Sequence, residues 1–288
     1  MEQKYIDLYD EYTHSTMPRR EFIARLGKLA GSSALAFSLL PLLENNYAQA
    51  AVVSPEDKRL QTGYITYPGH TSNMRAYMAQ PVKTSAPQSA VIVIHENKGL
   101  HPHIEDITRR IALAGYMALA PDALSPLGGT PEDPEQAKAL FPKLSMSDTI
   151  ENYRAAFAYL DEQPETSGNW GCVGFCWGGG LANQLAVHEP ALDAAVSFYG
   201  RQPEAADVSK IKSAVQLHYA GLDQRINAGM AAYEDALKAN HIDYEQYVYE
   251  GVNHAFNNDT NEARYNKAAA DLAWERTLAF LNKHLGAS

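Results

Sequence analysis

The feature that most constrains this chain is the pentapeptide Gly174-Phe175-Cys176-Trp177-Gly178, which has the spacing of G-x-S-x-G with cysteine in place of serine. In that motif a strand turns sharply into a helix, and the central residue adopts strained backbone dihedral angles. The glycines leave room for the chain to pass close to itself. The N-terminus of the following helix favours the thiolate form of a cysteine at the turn. The motif therefore predicts Cys176 as a nucleophile.

Apolar segments with strand character alternate with segments of helical periodicity along most of the chain. The run 90–94 is continuously apolar, as expected of a strand buried on both faces. This alternation predicts an α/β fold with a mostly parallel, doubly wound sheet of about eight strands flanked by helices. Strands are predicted at 63–67, 74–79, 90–94, 116–120, 170–175, 194–198, 215–219 and 244–249. Helices are predicted at 104–114, 131–140, 148–160, 178–188, 227–239 and 262–284.

Polar residues that follow the predicted strands suggest a catalytic triad, because the carboxyl ends of parallel strands meet at one edge of a sheet. Cys176, Asp223 and His254 occur in the chain order nucleophile, acid, histidine. Cys176 would attack an acyl carbon, His254 would act as the base, and Asp223 would orient the imidazole. The N–H groups of Trp177 and Asn97 are the predicted oxyanion donors.

Three further residues near the same edge are candidates for substrate binding. Tyr199 and Arg201 follow the predicted strand 194–198, and Phe256 comes two residues after His254. Arg201 is a candidate to bind a substrate carboxylate, although a solvated loop arginine is an equally good interpretation.

The sequence gives little support for a metal or a cofactor. The segment that starts at His95 begins like H-E-x-x-H but lacks the second histidine. His101 and His103 form a pair that could bind a metal, but a loop leading into a helix is the favoured interpretation. Cys172 is predicted to be a buried strand residue, because a disulfide to Cys176 would distort the turn.

Five segments together resemble the dienelactone hydrolase family of α/β-hydrolases, in family order and across most of the chain after residue 50. The resemblance implies the α/β-hydrolase fold, hydrolysis of an enol-lactone and no cofactor. It also implies that Glu96 hydrogen-bonds the Cys176 thiol in the resting enzyme, competes with the triad histidine and shifts when substrate binds. The matching segments are His95-Glu96-Asn97-Lys98-Gly99-Leu100, Pro121-Asp122, Gly174-Phe175-Cys176-Trp177-Gly178-Gly179, Ala220-Gly221-Leu222-Asp223 and Val252-Asn253-His254-Ala255-Phe256.

The chain departs from that family at the two arginines that hold the substrate carboxylate. The segment 123–130 contains no arginine, and Asn258 stands four residues after the triad histidine, where the second arginine is expected. Burying a carboxylate without a cation is costly. The predicted substrate is therefore a small neutral or differently charged ester or lactone. A thioester, peptide or amide substrate, a non-catalytic binding module and a redox role for Cys176 remain the alternatives.

Residues 1–50 are predicted to be an export signal of the twin-arginine type, which leaves a domain at 51–288. Arg19 and Arg20 precede a modestly apolar stretch at 29–43, and Ala48-Gln49-Ala50 resembles a cleavage site before Ala51. This predicts passage through the twin-arginine export machinery and a periplasmic or secreted protein. The alternative is an amphipathic N-terminal part of the folded domain in a cytoplasmic protein.

Two global properties limit the partners of the chain. The formal net charge of −10 argues against nucleic acid and anionic membranes as partners. Pro41 and the polar residues within 29–43 argue against a permanent transmembrane helix.

Overall fold

The computed structural model describes residues 1–47, 51–84 and 86–286. Its centre is an eight-stranded sheet with the strand order β1-β2-β4-β3-β5-β6-β7-β8. The first two strands pair antiparallel, β2 pairs antiparallel with β4, and the remaining pairs are parallel. The strands are β1 (Leu60–Pro68), β2 (Asn73–Pro81), β3 (Gln88–Ile94), β4 (Met117–Pro121), β5 (Thr166–Phe175), β6 (Ala194–Phe198), β7 (Ala214–Ala220) and β8 (Tyr244–Tyr249). All eight predicted strands are confirmed.

The central strands are apolar on both faces because helices cover both faces of the sheet. Along β3, Val91 and Val93 belong to one hydrophobic cluster, whereas Ile92 and Ile94 belong to the other. Successive side chains of a strand point to opposite faces, so a continuous apolar run serves two cores at once. The doubly wound α/β architecture is thereby confirmed.

Seven helices follow the first strands within the described residues. The first four of them begin and end within three residues of the predicted bounds. The helix predicted at 227–239 begins at Met230, and a separate single turn precedes it. The terminal helix begins at Lys267 rather than at residue 262, because the Asn266 side chain caps it by accepting from the backbone N–H of Ala269. The helices are α4 (Pro102–Leu113), α5 (Pro134–Leu140), α6 (Met146–Asp161), α7 (Trp177–His188), α8 (Gln224–Asn227), α9 (Met230–Ala239) and α10 (Lys267–Leu285).

The N-terminal residues form a helical unit that packs against the α/β domain. Its helices are α1 (Gln3–His14), α2 (Arg19–Ala30) and α3 (Ser33–Leu43). Their apolar faces enclose a small core of their own, which includes Tyr9 and Phe22. The unit is joined to the domain by backbone hydrogen bonds such as that from Ala263 N to Leu42 O, at 3.2 Å.

No single described helix is long and apolar enough to cross a membrane. The pair α2 and α3 meets that requirement only when both helices are counted together, and they are bent by 114° with respect to each other. The predicted cleavage pattern at 48–50 lies outside the described residues, and export with cleavage stays a prediction.

Candidate active site

Cys176 lies at a strained turn between β5 and α7. Its φ is 56° and its ψ is −113°, a conformation that is unfavourable for a residue with a Cβ. Close packing enforces the turn. A Cβ added to Gly174 would lie 2.0 Å from the carbonyl oxygen of Gly178, and one added to Gly178 would lie 2.4 Å from that of Ile94. The G-x-C-x-G segment therefore folds as the motif predicts, with the thiol at the start of a helix.

Asp223 and His254 form a buried pair on neighbouring loops, after β7 and β8. His254 Nδ1 lies 2.5 Å from Asp223 Oδ2, and the two side chains are 3% and 1% exposed. Burial alone would lower the pKa of His254, but the Cys176 sulfur and Asp223 outweigh it and raise that pKa to about 9. The structure thus brings together the acid and the histidine that the sequence predicts.

The free nitrogen of His254 faces the region of the thiol. His254 Nε2 has no hydrogen-bond partner among the described residues, and a ring nitrogen of His254 lies within 4.8 Å of Cys176 Sγ. The three predicted triad residues therefore converge at the carboxyl edge of the sheet. A modest movement of the thiol or the imidazole would complete the hydrogen bond between them.

A second histidine, His14 from the N-terminal unit, contacts the thiol directly. Its Nε2 lies 3.2 Å from Cys176 Sγ, and its ring packs edge-on against the ring of His254, with 4.6 Å between centroids. Its other nitrogen, Nδ1, lies 2.9 Å from the carbonyl oxygen of Asp10. The sequence interpretation missed His14 because it assigned residues 1–50 to a removable signal. The apolar periodicity of Tyr5, Tyr9 and Tyr12 on one helix face would have pointed to a packed helix.

Glu96 lies on the loop after β3 and lines a small recess together with Cys176 and His254. Its Oε2 accepts a hydrogen bond of 2.7 Å from Asn258 Nδ2, and its Oε1 has no partner within the described part of the chain. In this arrangement the Cys176 thiol is hydrogen-bonded to His14 instead. The predicted action of Glu96 on the thiol stays a prediction.

The residues of the two predicted oxyanion donors line the same cavity as Cys176. Trp177 is the first residue of α7, so its N–H has no intrahelical acceptor. Asn97 lies in the loop after β3, and its side chain donates to the carbonyl oxygen of Thr13 at 2.8 Å. His95 supports this loop. Its ring stacks on Trp177, and its Nε2 accepts from the backbone N–H of Ala123.

A cavity of about 870 Å³ opens onto Cys176 and contains most of the predicted site residues. Tyr199 and Arg201 line it, as do Asn97 and Trp177. Phe256 is fully buried and packs against the ring of Tyr199, behind the cavity wall. The sequence interpretation did not identify several lining residues. These include Arg225 and the segment between the first two helices: His14, Ser15, Thr16, Met17, Pro18 and Arg19.

The side chains at the thiol are also of the types that bind soft metal ions. The donor atoms of His14, Cys176 and His254 lie within 4.8 Å of one another, and zinc accepts such nitrogen and sulfur ligands. The other histidine pair has different partners, since His103 contacts Asp259 at 2.9 Å and the ring of His101 stacks on that of Tyr47.

Cys172 is separate from this chemistry. It is a free, fully buried residue of β5, and burial raises the pKa of its thiol to about 12. The prediction that it is a structural strand residue is confirmed.

Comparison with known proteins identifies related sequences. A protein of Escherichia coli O157:H7, provisionally named carboxymethylenebutenolidase, is 31% identical over 252 residues, which cover 82% of this chain and 92% of that protein. A Saccharolobus solfataricus protein with the same provisional name is 34% identical over 257 residues, covering 76% and 97%. A crystal structure of a provisionally named dienelactone hydrolase from Klebsiella pneumoniae superposes with a TM-score of 0.72 at 29% identity, covering 78% of this chain and 99% of that one.

Two family models match the chain. The model of YqhI-like proteins matches residues 1–31, the part that carries α1 and α2. The model of the dienelactone hydrolase family matches residues 74–285, which hold the strained cysteine turn and the Asp223–His254 pair. The chain therefore belongs to the dienelactone hydrolase family, whose members are hydrolases of ester or lactone bonds.

Proposed function

We propose that the protein hydrolyses a small ester or lactone through a covalent acyl intermediate on Cys176. The observation that carries the proposal is the strained Cys176 turn beside the buried Asp223–His254 pair. Membership of the dienelactone hydrolase family supplies the reaction class. The resting arrangement, in which Glu96 would modulate the thiol, belongs to the same proposal.

The proposed reaction uses only the side chains of the site, the substrate and water. His254 Nε2 takes the proton of the Cys176 thiol, and Sγ attacks the carbonyl carbon of the substrate. The N–H groups of Trp177 and Asn97 stabilise the oxyanion. The alkoxide leaves with the proton from His254, and an acyl thioester remains. His254 then takes a proton from water, the hydroxide attacks the thioester, and the proton returns to Sγ. An ester gives an acid and an alcohol, whereas a lactone gives one hydroxy acid.

The cavity suggests how the substrate differs from dienelactone. Asn258 occupies one family arginine position, and its amide is bonded to Glu96. Arg201 and Arg225 line the cavity from other positions. An anionic group of the substrate would therefore be bound away from the positions used by the dienelactone enzymes, or the substrate is neutral.

The test is a panel of esters, lactones, thioesters and amides assayed with the full chain before and after alkylation by iodoacetamide. Cys176→Ala is expected to abolish turnover of the esters or lactones, and alkylation is expected to do the same. Cys172→Ala is the matched control, because that thiol is buried in β5, and it is expected to keep both turnover and sensitivity to alkylation. Full activity of the alkylated protein would disprove the cysteine mechanism. Binding of panel compounds without turnover would favour a binding module.

A further inference from the structure

The N-terminal helix α1 ends at the active-site sulfur and is fixed there by polar contacts on three sides. Asn97 Nδ2 donates to the carbonyl oxygen of Thr13 at 2.8 Å. Lys98 Nζ donates to the hydroxyl of Tyr9 at 3.1 Å, and Arg264 lies 3.8 Å from Asp10. Two of these partners are neighbours on the loop that supplies a predicted oxyanion donor. The end of α1 is therefore fixed relative to the loops that carry the predicted catalytic residues.

His14 and Asp10 resemble the arrangement of His254 and Asp223, because each histidine has an aspartate next to its Nδ1. His14 Nδ1 lies 2.9 Å from the carbonyl oxygen of Asp10 and 3.2 Å from its carboxylate. Both Asp10 oxygens are acceptors, and the Thr13 hydroxyl, 3.2 Å from Nδ1, can accept as well because its own proton is donated to the carbonyl oxygen of Asp10. A neutral His14 therefore carries its proton on Nδ1. Its Nε2 is then a proton acceptor 3.2 Å from Cys176 Sγ. That is the tautomer and contact that a general base for the thiol requires.

The Asp10 carboxylate is well placed to orient the His14 ring. Burial would raise the pKa of Asp10, but contact with His14 and the charges of His254 and Arg264 outweigh this and hold that pKa far below its usual range. A carboxylate that remains ionised 3.2 Å from Nδ1 fixes the ring with Nε2 toward the thiol, as the acid of a catalytic triad orients its histidine.

His14 leaves room for a substrate. The cavity of about 870 Å³ opens onto Cys176 with His14 in place, and residues 13–19 form part of its wall. The N-terminal unit therefore shapes the substrate cavity as well as contacting the nucleophile.

We propose that His14, rather than His254, is the catalytic residue that takes the proton of Cys176 during acylation, so that His254 acts as the base of deacylation alone. The proposal rests on the proposed function. The proton of the S–H group passes to His14 Nε2, Sγ bonds to the acyl carbon, and the departing alkoxide takes that proton. In the second half of the reaction His254 Nε2 removes a proton from water, and the resulting hydroxide bonds to the acyl carbon. That proton returns to Sγ as the carbon–sulfur bond breaks. The two rings have centroids 4.6 Å apart, so they hold the proton in turn, because two adjacent imidazolium charges repel.

The test compares His14→Ala and His14→Asn with His188→Ala, an exposed histidine at the end of α7 and the matched control. The amide of asparagine retains an N–H near Asp10 but cannot accept the thiol proton. Both His14 variants are expected to slow the acylation burst with p-nitrophenyl acetate about a hundredfold, while deacylation changes by less than about threefold. His254→Ala is expected to slow deacylation.

A second readout needs no turnover. The rate at which iodoacetamide alkylates Cys176, measured by mass spectrometry at pH 7, is expected to fall about tenfold or more in both His14 variants. Added imidazole is expected to restore part of the rate in His14→Ala, because the vacated space admits it, which a purely structural role of His14 would not produce. Unchanged or faster alkylation in folded His14 variants would overturn the proposal.

This readout separates the proposal from the proposed function. If the His14 variants are alkylated at the native rate while turnover still depends on Cys176, only the role of His14 is refuted. Turnover by Cys176→Ala would refute the cysteine mechanism itself. The predicted removal of residues 1–50 would remove His14 from the mature protein, whereas the proposal requires that His14 is retained. N-terminal sequencing of the active protein is expected to find His14 retained, and a fully active chain that begins at Ala51 would overturn the proposal.

Discussion

Asn258 donates a hydrogen bond to Glu96, with 2.7 Å between Nδ2 and Oε2. Both residues are buried. The oxygen of the same amide accepts from the backbone N–H and the hydroxyl of Thr260. Asn258 therefore fixes Glu96 to the turn after His254, and the N–H that it donates to Glu96 is not available to a substrate carboxylate. A residue at a family substrate position has here become part of the support of the site.

We expect Asn258→Ala to lower the free energy of unfolding by about 1–3 kcal/mol, because it leaves a buried carboxylate oxygen without its donor. A double-mutant cycle with Glu96→Gln, measured by urea unfolding, is expected to show coupling of about 1 kcal/mol or more. Thr260→Val is the control: it removes the hydroxyl contact but keeps the bond to Glu96. Additive effects of Asn258→Ala and Glu96→Gln would contradict the proposed support.

The turn at Cys176 depends on the absence of a side chain at Gly174. A methyl group there would lie 2.0 Å from the carbonyl oxygen of Gly178, so the backbone must move. We expect Gly174→Ala to destabilise the fold by about 4 kcal/mol or more and to abolish activity. Gly63→Ala, in β1, is the matched control, because no atom lies within 4 Å of the added group. It is expected to shift the free energy of unfolding by about 0.5 kcal/mol or less. Similar melting temperatures of the two variants would contradict this.

The sheet and the triad could be predicted from sequence because their signals are local. The central strands are apolar runs, Cys176 follows β5 directly, and Asp223 and His254 lie on the loops after β7 and β8. The start of the last helix could not be predicted in this way. The Asn261 side chain accepts from the backbone N–H of Arg264. This contact favours a turn where the periodicity of the sequence predicts a helix.

The role of the N-terminal helices could not be predicted because it depends on contacts between distant residues. His14 reaches Cys176 across 162 positions of sequence. Twin arginines, an apolar stretch and a small-residue pattern favour a signal peptide whether or not the segment also packs on the domain. The contact of Asp10 with Arg264 likewise joins residues far apart in the sequence and could not be predicted from it.

The ion pairs around Asp259 give the fold an acid-sensitive element next to the site. Burial would raise the pKa of Asp259, but the hydrogen bond with His103 and the charge of Arg110 lower it to about 2. A carboxyl group whose pKa is lower in the folded than in the unfolded chain stabilises the fold when the pH is above its unfolded-state pKa. This contribution is lost as the pH falls toward its folded-state pKa. We expect Asp259→Asn to unfold more easily than the native chain at pH 7.

The measurement for Asp259 is the difference in the free energy of unfolding between the two chains from pH 7 to pH 2. The difference is expected to be roughly constant above pH 5 and to shrink between pH 4 and pH 2. Asp207→Asn is the control, because Asp207 is an exposed residue paired with Lys210 at the surface, where ion pairs contribute little. A difference that stays constant down to pH 2 would show that the charge of Asp259 does not stabilise the fold.

Tyr199 lines the cavity, and its buried hydroxyl has no hydrogen-bond partner among the described residues. Its φ is 41°, and its ring packs against that of His254, with 4.9 Å between centroids. Burial raises the pKa of Tyr199 well above its usual value, so the hydroxyl keeps its proton at neutral pH and can donate it to a substrate oxygen. We therefore expect this group to serve binding rather than stability.

Tyr199→Phe is expected to lower kcat/KM for the best ester or lactone of the panel about tenfold, which corresponds to about 1.4 kcal/mol for one lost hydrogen bond. Its free energy of unfolding should stay equal or rise, because no protein acceptor loses its donor. Tyr153→Phe is the opposite control: that hydroxyl donates to the Pro121 carbonyl at 3.1 Å in the core. Its loss should lower the free energy of unfolding by about 1 kcal/mol and leave kcat/KM unchanged. Unaltered turnover in Tyr199→Phe would mean that the substrate oxygen is bound elsewhere in the cavity.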